Sequence, residues 1–419
     1  MLTLIKNISS LATCSANGEL FKTGSQMQNV GEIKNAAILF DSKIRWIGLN
    51  QEYKNILSGS NIKEFRSIDA ANKAVIPGFI DSHTHLVFGG NRSDEFAKRM
   101  RGATYREIAE QGGGIQHTVR ETRAASEEQL FASAEKLINN AIKHGTTAFE
   151  TKSGYGLDTK TELKILRVIK KLRKEKKLQI SSTFLGAHDF PPEYSGRRDE
   201  YIDLICEEML PQVVEHGLAE FCDAFVDQGY YTIEQGEKIF QGATDLGLKL
   251  KVHADELACV NGAELAARMG AVSADHLLFI SDSGIENMKK SGTIATFLPG
   301  TAYFIRLPYA PARKILKNGN IVALATDCNP GSCFTENMQQ ILSLATLNMN
   351  MTAEEALNAA TINAAAAICK SDSMGSLEVG KDANFLVLDG ASYTDIFYHF
   401  GVNHVSQTWI NGELAMVNG

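Results

Sequence analysis

Two histidines one residue apart, His83 and His85, close an apolar run that starts at Val75 and is broken by Pro77-Gly78. On a strand, side chains alternate faces, so both imidazoles project the same way. Two neutral imidazoles converging at a strand end are the start of a transition-metal site, although HxH alone is a weak signal. Further polar candidates follow apolar runs along the chain: Glu150, Lys152 and Tyr155, then His188, then His253 with Glu256, then His276, and last Asp327. A lone buried histidine is ordinarily a satisfied core residue. A succession of them at the ends of separate apolar runs, joined by an aspartate, is hard to explain as scatter. His117, His144, His216, His399 and His404 fall on helices, loops or terminal segments and read as structural.

Such residues need a frame, and the pattern from about residue 75 supplies one. Apolar stretches at 78–83, 146–150, 180–185, 221–226, 249–253, 271–276, 293–297 and 321–326 alternate with amphipathic helical segments. Parallel neighbours need long crossovers, so hairpins do not explain this order. The fold class is α/β, and the expected architecture is a closed (β/α)8 TIM-like barrel, whose catalytic residues sit at the C-terminal ends of the strands. An open doubly wound sheet is the alternative, but no GxGxxG follows an early strand. Capping boxes mark helix starts at Ser126…Gln129, Thr159…Glu162, Thr232…Gln235 and Thr352…Glu355. After the first, Leu130, Ala134, Leu137, Ile138, Ala141 and Ile142 form a stripe that should cover a sheet.

The two ends of the chain read differently. Segments 36–40 and 44–48 form a hairpin around Asp41-Ser-Lys, and 375–388 and 405–414 return to strand-and-turn character with an Asn411-Gly412 turn. The expected organisation is a β domain from 1–70 and 375–419, a small discontinuous β-sandwich, flanking a barrel domain at 71–374.

Composition narrows the function. A net charge of -7 disfavours nucleic acid as the main partner. Hydrophobic content of 44% and charged content of 22% are ordinary for a soluble protein, and no apolar run is long enough for a membrane span. Seven cysteines are dispersed without a CxxC pair, which suits reduced thiols and a cytoplasmic location.

The segments PGFIDSHTHL, KVHADE, SADHL and ALATDCNPG, in that order, resemble the amidohydrolase superfamily. HTHLVFGGNRSDEF (83–96), the loop at 112–115, KSGYGL (152–157), FLGAHDFPPEY (184–194) and TDCNPGS (326–332) resemble its members that open an imidazolone ring in histidine catabolism. The resemblance implies His83, His85, His253 and Asp327 as ligands of one zinc or iron ion per subunit. Binuclear relatives carry a carboxylated lysine on the fourth strand, and here that strand reads Phe221-Cys-Asp-Ala-Phe-Val-Asp227, so one ion is expected. The implied reaction is hydrolysis of 4-imidazolone-5-propanoate to N-formimidoyl-L-glutamate by metal-activated water attacking the ring carbonyl. Asp327 would take a proton, His276 and His188 would polarise the carbonyl, and Glu256 would contact the ring nitrogens and move a proton to the leaving nitrogen. Arg92 would clamp the propionate, with Tyr155 and Tyr105 donating hydroxyls, and Asn329, Gly331 and Ser332 would contact substrate or opened product. The implied partner is a small molecule, and a homodimer is within the resemblance.

Two other readings use the same chain. A deaminase of the superfamily would share the ligands and differ in the pocket, where Arg92, Tyr155 and the 112–114 loop favour a small carboxylated substrate. A catalytically silent scaffold would ordinarily have lost ligands, and all four are present.

Overall fold

The computed structural model describes residues 1–60, 63–103, 107 and 113–418. Numbered in chain order, the N-terminal segment gives β1 (Thr3–Ala12), β2 (Glu32–Phe40), β3 (Ile44–Leu49), β4 (Arg66–Asp69) and β5 (Val75–Pro77). The barrel strands follow: β6 (Phe79–Asp81), β7 (Thr146–Lys152), β8 (Gln179–Ala187), β9 (Phe221–Val226), β10 (Lys249–Ala254), β11 (Ser273–His276), β12 (Ile294–Phe297) and β13 (Val322–Leu324). Strands β14 (Phe385–Leu388), β15 (Val405–Ile410) and β16 (Glu413–Val417) end the chain.

The terminal strands make one sheet in the order β16-β15-β14-β5-β1-β2-β3, with β4 added beside β1. Phe40 on β2 sits three places from β14, which in a flat sheet is about 14 Å. Its ring centroid nevertheless lies 5.0 Å from that of Phe385 and 5.4 Å from that of Trp409. The sheet therefore folds over on itself, and Ile5, Ile38, Leu377 and Val387 fill the fold. The sandwich expected from both termini is this bent single sheet. Local chemistry sets its tips. Asp41 Oδ1 accepts from the Lys43 N–H at 2.8 Å in the β2–β3 turn. Asn411 and Gly412 take left-handed backbone in the β15–β16 turn, and a β-carbon on Gly412 would overlap the Asp41 carbonyl, so the two tips abut. Pairing carries this unit past the residue-70 boundary expected from the sequence, to Pro77 in β5, leaving Gly78 between it and the barrel.

Strands β6 to β13 pair in chain order, each parallel to the next. The ring closes between first and last strand at the C-terminal rim: the Asp327 N–H donates to the His83 carbonyl at 3.0 Å and the His85 N–H to the Cys328 carbonyl at 2.9 Å. Below this seam Asp81 accepts from the Thr326 N–H and hydroxyl at 2.9 and 2.6 Å. Helix Glu127–Lys143 buries the whole predicted stripe, and its Ser126…Gln129 box forms, as do those at Thr232 and Thr352.

The box expected at Thr159…Glu162 does not form. Asp158, one residue earlier, caps the helix by accepting from the Thr161 N–H at 2.7 Å. Glu162 is thereby released inward, where it accepts the N–H groups of Gly154, Gly156 and Leu157 at 3.0, 2.7 and 2.9 Å. It shapes the loop that carries Tyr155. All seven cysteines are free. Among the described residues no helix is long and apolar enough to cross a membrane.

Candidate metal centre and active-site cavity

Five imidazoles from four strand ends converge over the barrel axis. Ring centroids of His83 and His253 are 4.5 Å apart, those of His253 and His276 5.2 Å, and His85 stacks on His188 at 5.2 Å. One nitrogen each from His83, His85 and His253 lie within 4.8 Å of one another, as do one atom each from His83, His276 and Asp327. His83 Nε2 and His85 Nε2 both lie 3.4 Å from the same oxygen, Asp327 Oδ1. His83 Nε2 is buried without a hydrogen-bond partner. Ring nitrogens of this set fit a cation, because His83, His85 and His253 each bring one nitrogen to a common point, and His83 and His85 share a carboxylate oxygen there. Three imidazoles and a carboxylate suit a divalent transition metal.

The electrostatics divide the imidazoles. Burial pushes His253 down to about 3 and His276 down to about 4, and lowers His85 and His188, so these rings are neutral near pH 7. His83 is the exception in the metal-free chain. Burial and the Lys152 ammonium oppose its protonation, but Asp275 and Asp327 outweigh them and lift it to about 9. Burial also opposes ionising Asp327, yet His83 and His85 hold it well below the usual carboxylate range.

Three of the four ligand candidates, His83, His253 and Asp327, have a polar side chain behind them. His83 Nδ1 lies 2.6 Å from Asp275 Oδ2, and His253 Nδ1 lies 2.9 Å from Asp223 Oδ2. Thr301, at the start of helix Pro299–Ile305, donates its hydroxyl to Asp327 Oδ2 at 2.6 Å, so the other carboxylate oxygen faces the histidines. His276 and Asp327 both have left-handed backbone, at φ +79° and +53°, uncommon for residues other than glycine. Strain of this kind is held in place by the surrounding barrel.

Beside this cluster opens a cavity of about 390 Å³, lined by His85, Tyr155, His188, His253, Glu256, His276, Asp327, Asn329 and Ser332 among others. The same cavity is also lined by Arg92, Arg99 and Arg306 and by the apolar Phe225, Phe304 and Ile115. Arg92 is buried; its Nε donates to Glu95 Oε2 at 2.8 Å, and Glu95 Oε1 accepts from the Gly114 N–H at 3.1 Å. The guanidinium rests against Gly331, where a β-carbon would overlap it. Arg99 stacks over Phe304 at 4.9 Å and donates to the Gly331 carbonyl at 3.2 Å.

Glu256 is held by its backbone. Asp227 accepts the N–H groups of Glu256, Leu257 and Ala258 at 2.7, 2.9 and 3.2 Å. Burial raises the Glu256 carboxyl well above the usual range, helped by the charges of Asp327 and Asp227. It faces His276 Nε2 at 3.6 Å. His188 Nδ1 lies 3.0 Å from the Gly154 carbonyl, leaving its Nε2 edge for the cavity. Asn329 is occupied with its own loop: Oδ1 accepts from the Gly331 and Ser332 N–H groups at 2.9 and 2.8 Å, and Nδ2 donates to the Asp327 carbonyl at 2.7 Å.

The structure thus gathers His83, His85, His188, His253, Glu256, His276, Asp327, Arg92, Tyr155, Asn329 and Ser332 around one space, with Gly331 behind Arg92. Tyr105 lies outside the described residues. Reasoning from sequence missed Arg99, Arg306 and Thr301, and the acidic backing of Asp223 and Asp275. The last two had a readable signal: a charged residue inside an otherwise apolar strand.

The sequence model of the Amidohydrolase family matches residues 74–415. The imidazolonepropionase of Clostridium tetani is 47% identical over 413 residues, covering 98% of this chain and 97% of that protein. The imidazolonepropionase of Porphyromonas gingivalis is 47% identical, covering 99% and 97% respectively. Among solved structures, E. coli guanine deaminase superposes with a TM-score of 0.74 at 14% identity, covering 100% of both chains. An adenosine deaminase from Xanthomonas campestris with bound zinc superposes with a TM-score of 0.72 at 18% identity, covering 99% of this chain and 93% of that one. At such identities the structural likeness speaks for the fold alone.

Proposed function

The chain belongs to the Amidohydrolase family and, within it, to the imidazolonepropionases, and from that premise we propose how its residues divide the hydrolytic opening of 4-imidazolone-5-propanoate to N-formimidoyl-L-glutamate. The observation that supports the division is the cavity's lining: imidazoles and carboxylates share one cavity with the buried guanidinium of Arg92.

His83, His85, His253 and Asp327 would hold one zinc or iron ion. When bound, the ion supplies Lewis acidity that brings the ionisation of water toward neutral pH. The chain does the rest. Arg92 takes the propionate carboxylate, a charge-assisted contact that a planar guanidinium can make with two bonds, and Tyr155 adds its hydroxyl. Tyr105 is assigned to the same carboxylate from the sequence resemblance. This anchoring points the imidazolone ring at His188, His276 and Glu256. Neutral His276 and His188 face the ring carbonyl and stabilise the negative charge that grows on its oxygen as water adds. Asp327, ionised and oriented by Thr301, accepts a proton from the attacking water. Burial and the nearby carboxylates raise the Glu256 carboxyl and favour its protonated form, from which it gives a proton to the ring nitrogen as the carbonyl carbon–nitrogen bond breaks. The carbonyl carbon leaves as the new carboxylate. Asn329, Gly331 and Ser332 form the loop beside both carboxylates.

The experiment is to add enzymatically generated imidazolonepropionate to the purified protein, follow loss of imidazolone absorbance and identify the product, with metal analysis of the same sample. Formimidoylglutamate with about one ion per chain supports the reading. Ammonia released from an aminated ring, with imidazolone untouched, would replace it with a deaminase. A cytoplasmic homodimer completes the proposal; sedimentation and cell fractionation test these two points.

A further inference from the structure

Lys152, at the end of β7, is the one basic residue of the KSGYGL segment, and ring opening as described above does not use it. It is fully buried inside the barrel, at 0% exposure. Its ammonium lies 2.8 Å from Glu150 Oε1, 3.0 Å from Asp223 Oδ2 and 3.9 Å from Asp275 Oδ2. Those last two oxygens are the same atoms that face Nδ1 of His253 and His83, at 2.9 and 2.6 Å. The ammonium therefore hydrogen-bonds Glu150, pairs with Asp223 and stands 3.9 Å from Asp275, and the two aspartates each lie beside one imidazole.

We propose that Lys152 is a positioning residue for the metal centre, pairing with Asp223 and attracting Asp275 across 3.9 Å so that they orient His253 and His83 toward one ion. The proposal rests on the reading of those histidines as ligands. The physical chain is short. A carboxylate facing Nδ1 keeps the proton on that nitrogen, which leaves the Nε2 lone pair for the ion. Asp223 is fixed from a second side, because its Oδ1 accepts from the His253 N–H at 3.1 Å. Asp275 Oδ1 is buried without a hydrogen-bond partner, and its Oδ2 pairs with His83 while, against its burial, the charges of Lys251 and Lys152 keep it ionised. Glu150 is tied separately, to the Thr183 hydroxyl and the Thr84 N–H.

The competing role is simple neutralisation of Glu150, and variants separate the two. Lys152→Met removes the ammonium with little change of volume. The double variant Lys152→Met/Glu150→Gln removes one charge of each sign and leaves the core balanced, so it keeps the test alive if the single variant does not fold. Zinc affinity is measured by competition with a chromophoric chelator, and the visible spectrum of the cobalt-substituted protein reports ligand geometry. The double variant is expected to bind zinc about 10- to 100-fold more weakly, the usual cost of losing an outer-shell partner, with an altered cobalt spectrum. Glu150→Gln alone should keep both near the parent. Parental affinity and spectrum in the double variant would overturn the proposal and leave Lys152 as a neutraliser. Unchanged zinc affinity in His83→Ala would instead overturn the ligand reading, a separable result.

Discussion

The Arg92 guanidinium packs against Gly331, leaving no room for a β-carbon on the glycine. The loop after β13 and the helix after β6 are thereby coupled through one contact, and the loop also accepts a hydrogen bond from Arg99.

Substitution Gly331→Ala should therefore act at a distance, by pushing Arg92 off its position. A charge-assisted hydrogen bond is worth about 1.5–3 kcal/mol, so KM for imidazolonepropionate should rise roughly 10- to 100-fold in both Gly331→Ala and Arg92→Ala. Metal content should not change in either. Steady-state kinetics with metal analysis checks this, and an unaltered KM in Arg92→Ala would remove the arginine from the substrate site.

Removing the Asp227 carboxylate should strand the backbone N–H groups of Glu256, Leu257 and Ala258. Leaving buried donors unpaired costs about 1–3 kcal/mol each at most, and the loop can recover part of that from water. Asp227→Ala is expected to lower kcat by roughly tenfold or more through misplacement of Glu256, a loss of about 1.4 kcal/mol in transition-state stabilisation. Binding of the metal should persist, so kcat measured on fully loaded protein is the discriminating readout.

Metal uptake should depend on pH with a definite sign. His83 in the metal-free chain titrates at about 9 and must lose a proton before Nε2 can coordinate. Affinity should fall about tenfold per pH unit below about 9 and level off above it. His253 and His276, already neutral because burial holds them at about 3 and about 4, add no slope in this range. Zinc titrations from pH 6 to 10 against a competing chelator test this. Chelation should abolish turnover, and added zinc or ferrous ion should restore it.

Thiol labelling should follow burial. Cys259 is exposed, Cys206 and Cys369 are partly buried, and Cys14, Cys222, Cys328 and Cys333 are buried. Burial pushes the Cys14 thiol up to about 11, so almost no thiolate is present at neutral pH. A chromogenic disulfide should label Cys259 first in the native protein and reach the four buried thiols after unfolding. Native labelling of Cys14 would contradict the packing of the segment after β1 against the barrel core.

Much of this was legible because the barrel writes a repeating pattern. Each of the eight expected apolar runs overlaps an observed strand, and the ligand candidates stand just where those runs stop. The acidic and basic residues beneath them were harder to place. Lys152, Asp223 and Asp275 interrupt apolar runs as a strand boundary would, and only their mutual distances show that the opposite charges meet inside the barrel. Arg99 and Arg306 looked like ordinary surface charge because the wall they share is assembled from segments about two hundred residues apart. At Thr159 a local rule gave way to its neighbour: Asp158 was the better cap, and Glu162 was left for work in the interior.

The hydrogen bonds that join β6 to β13 are made by the backbones of His83, His85 and Asp327 themselves. First and last strands arrive from positions far apart in the chain, so the proposed ligand set does not exist until the circle is complete. Metal occupancy would then be a certificate of finished folding. A chain short of its final turn would lack that set, and an ion held by it would resist the unzipping of the edge where the circle began.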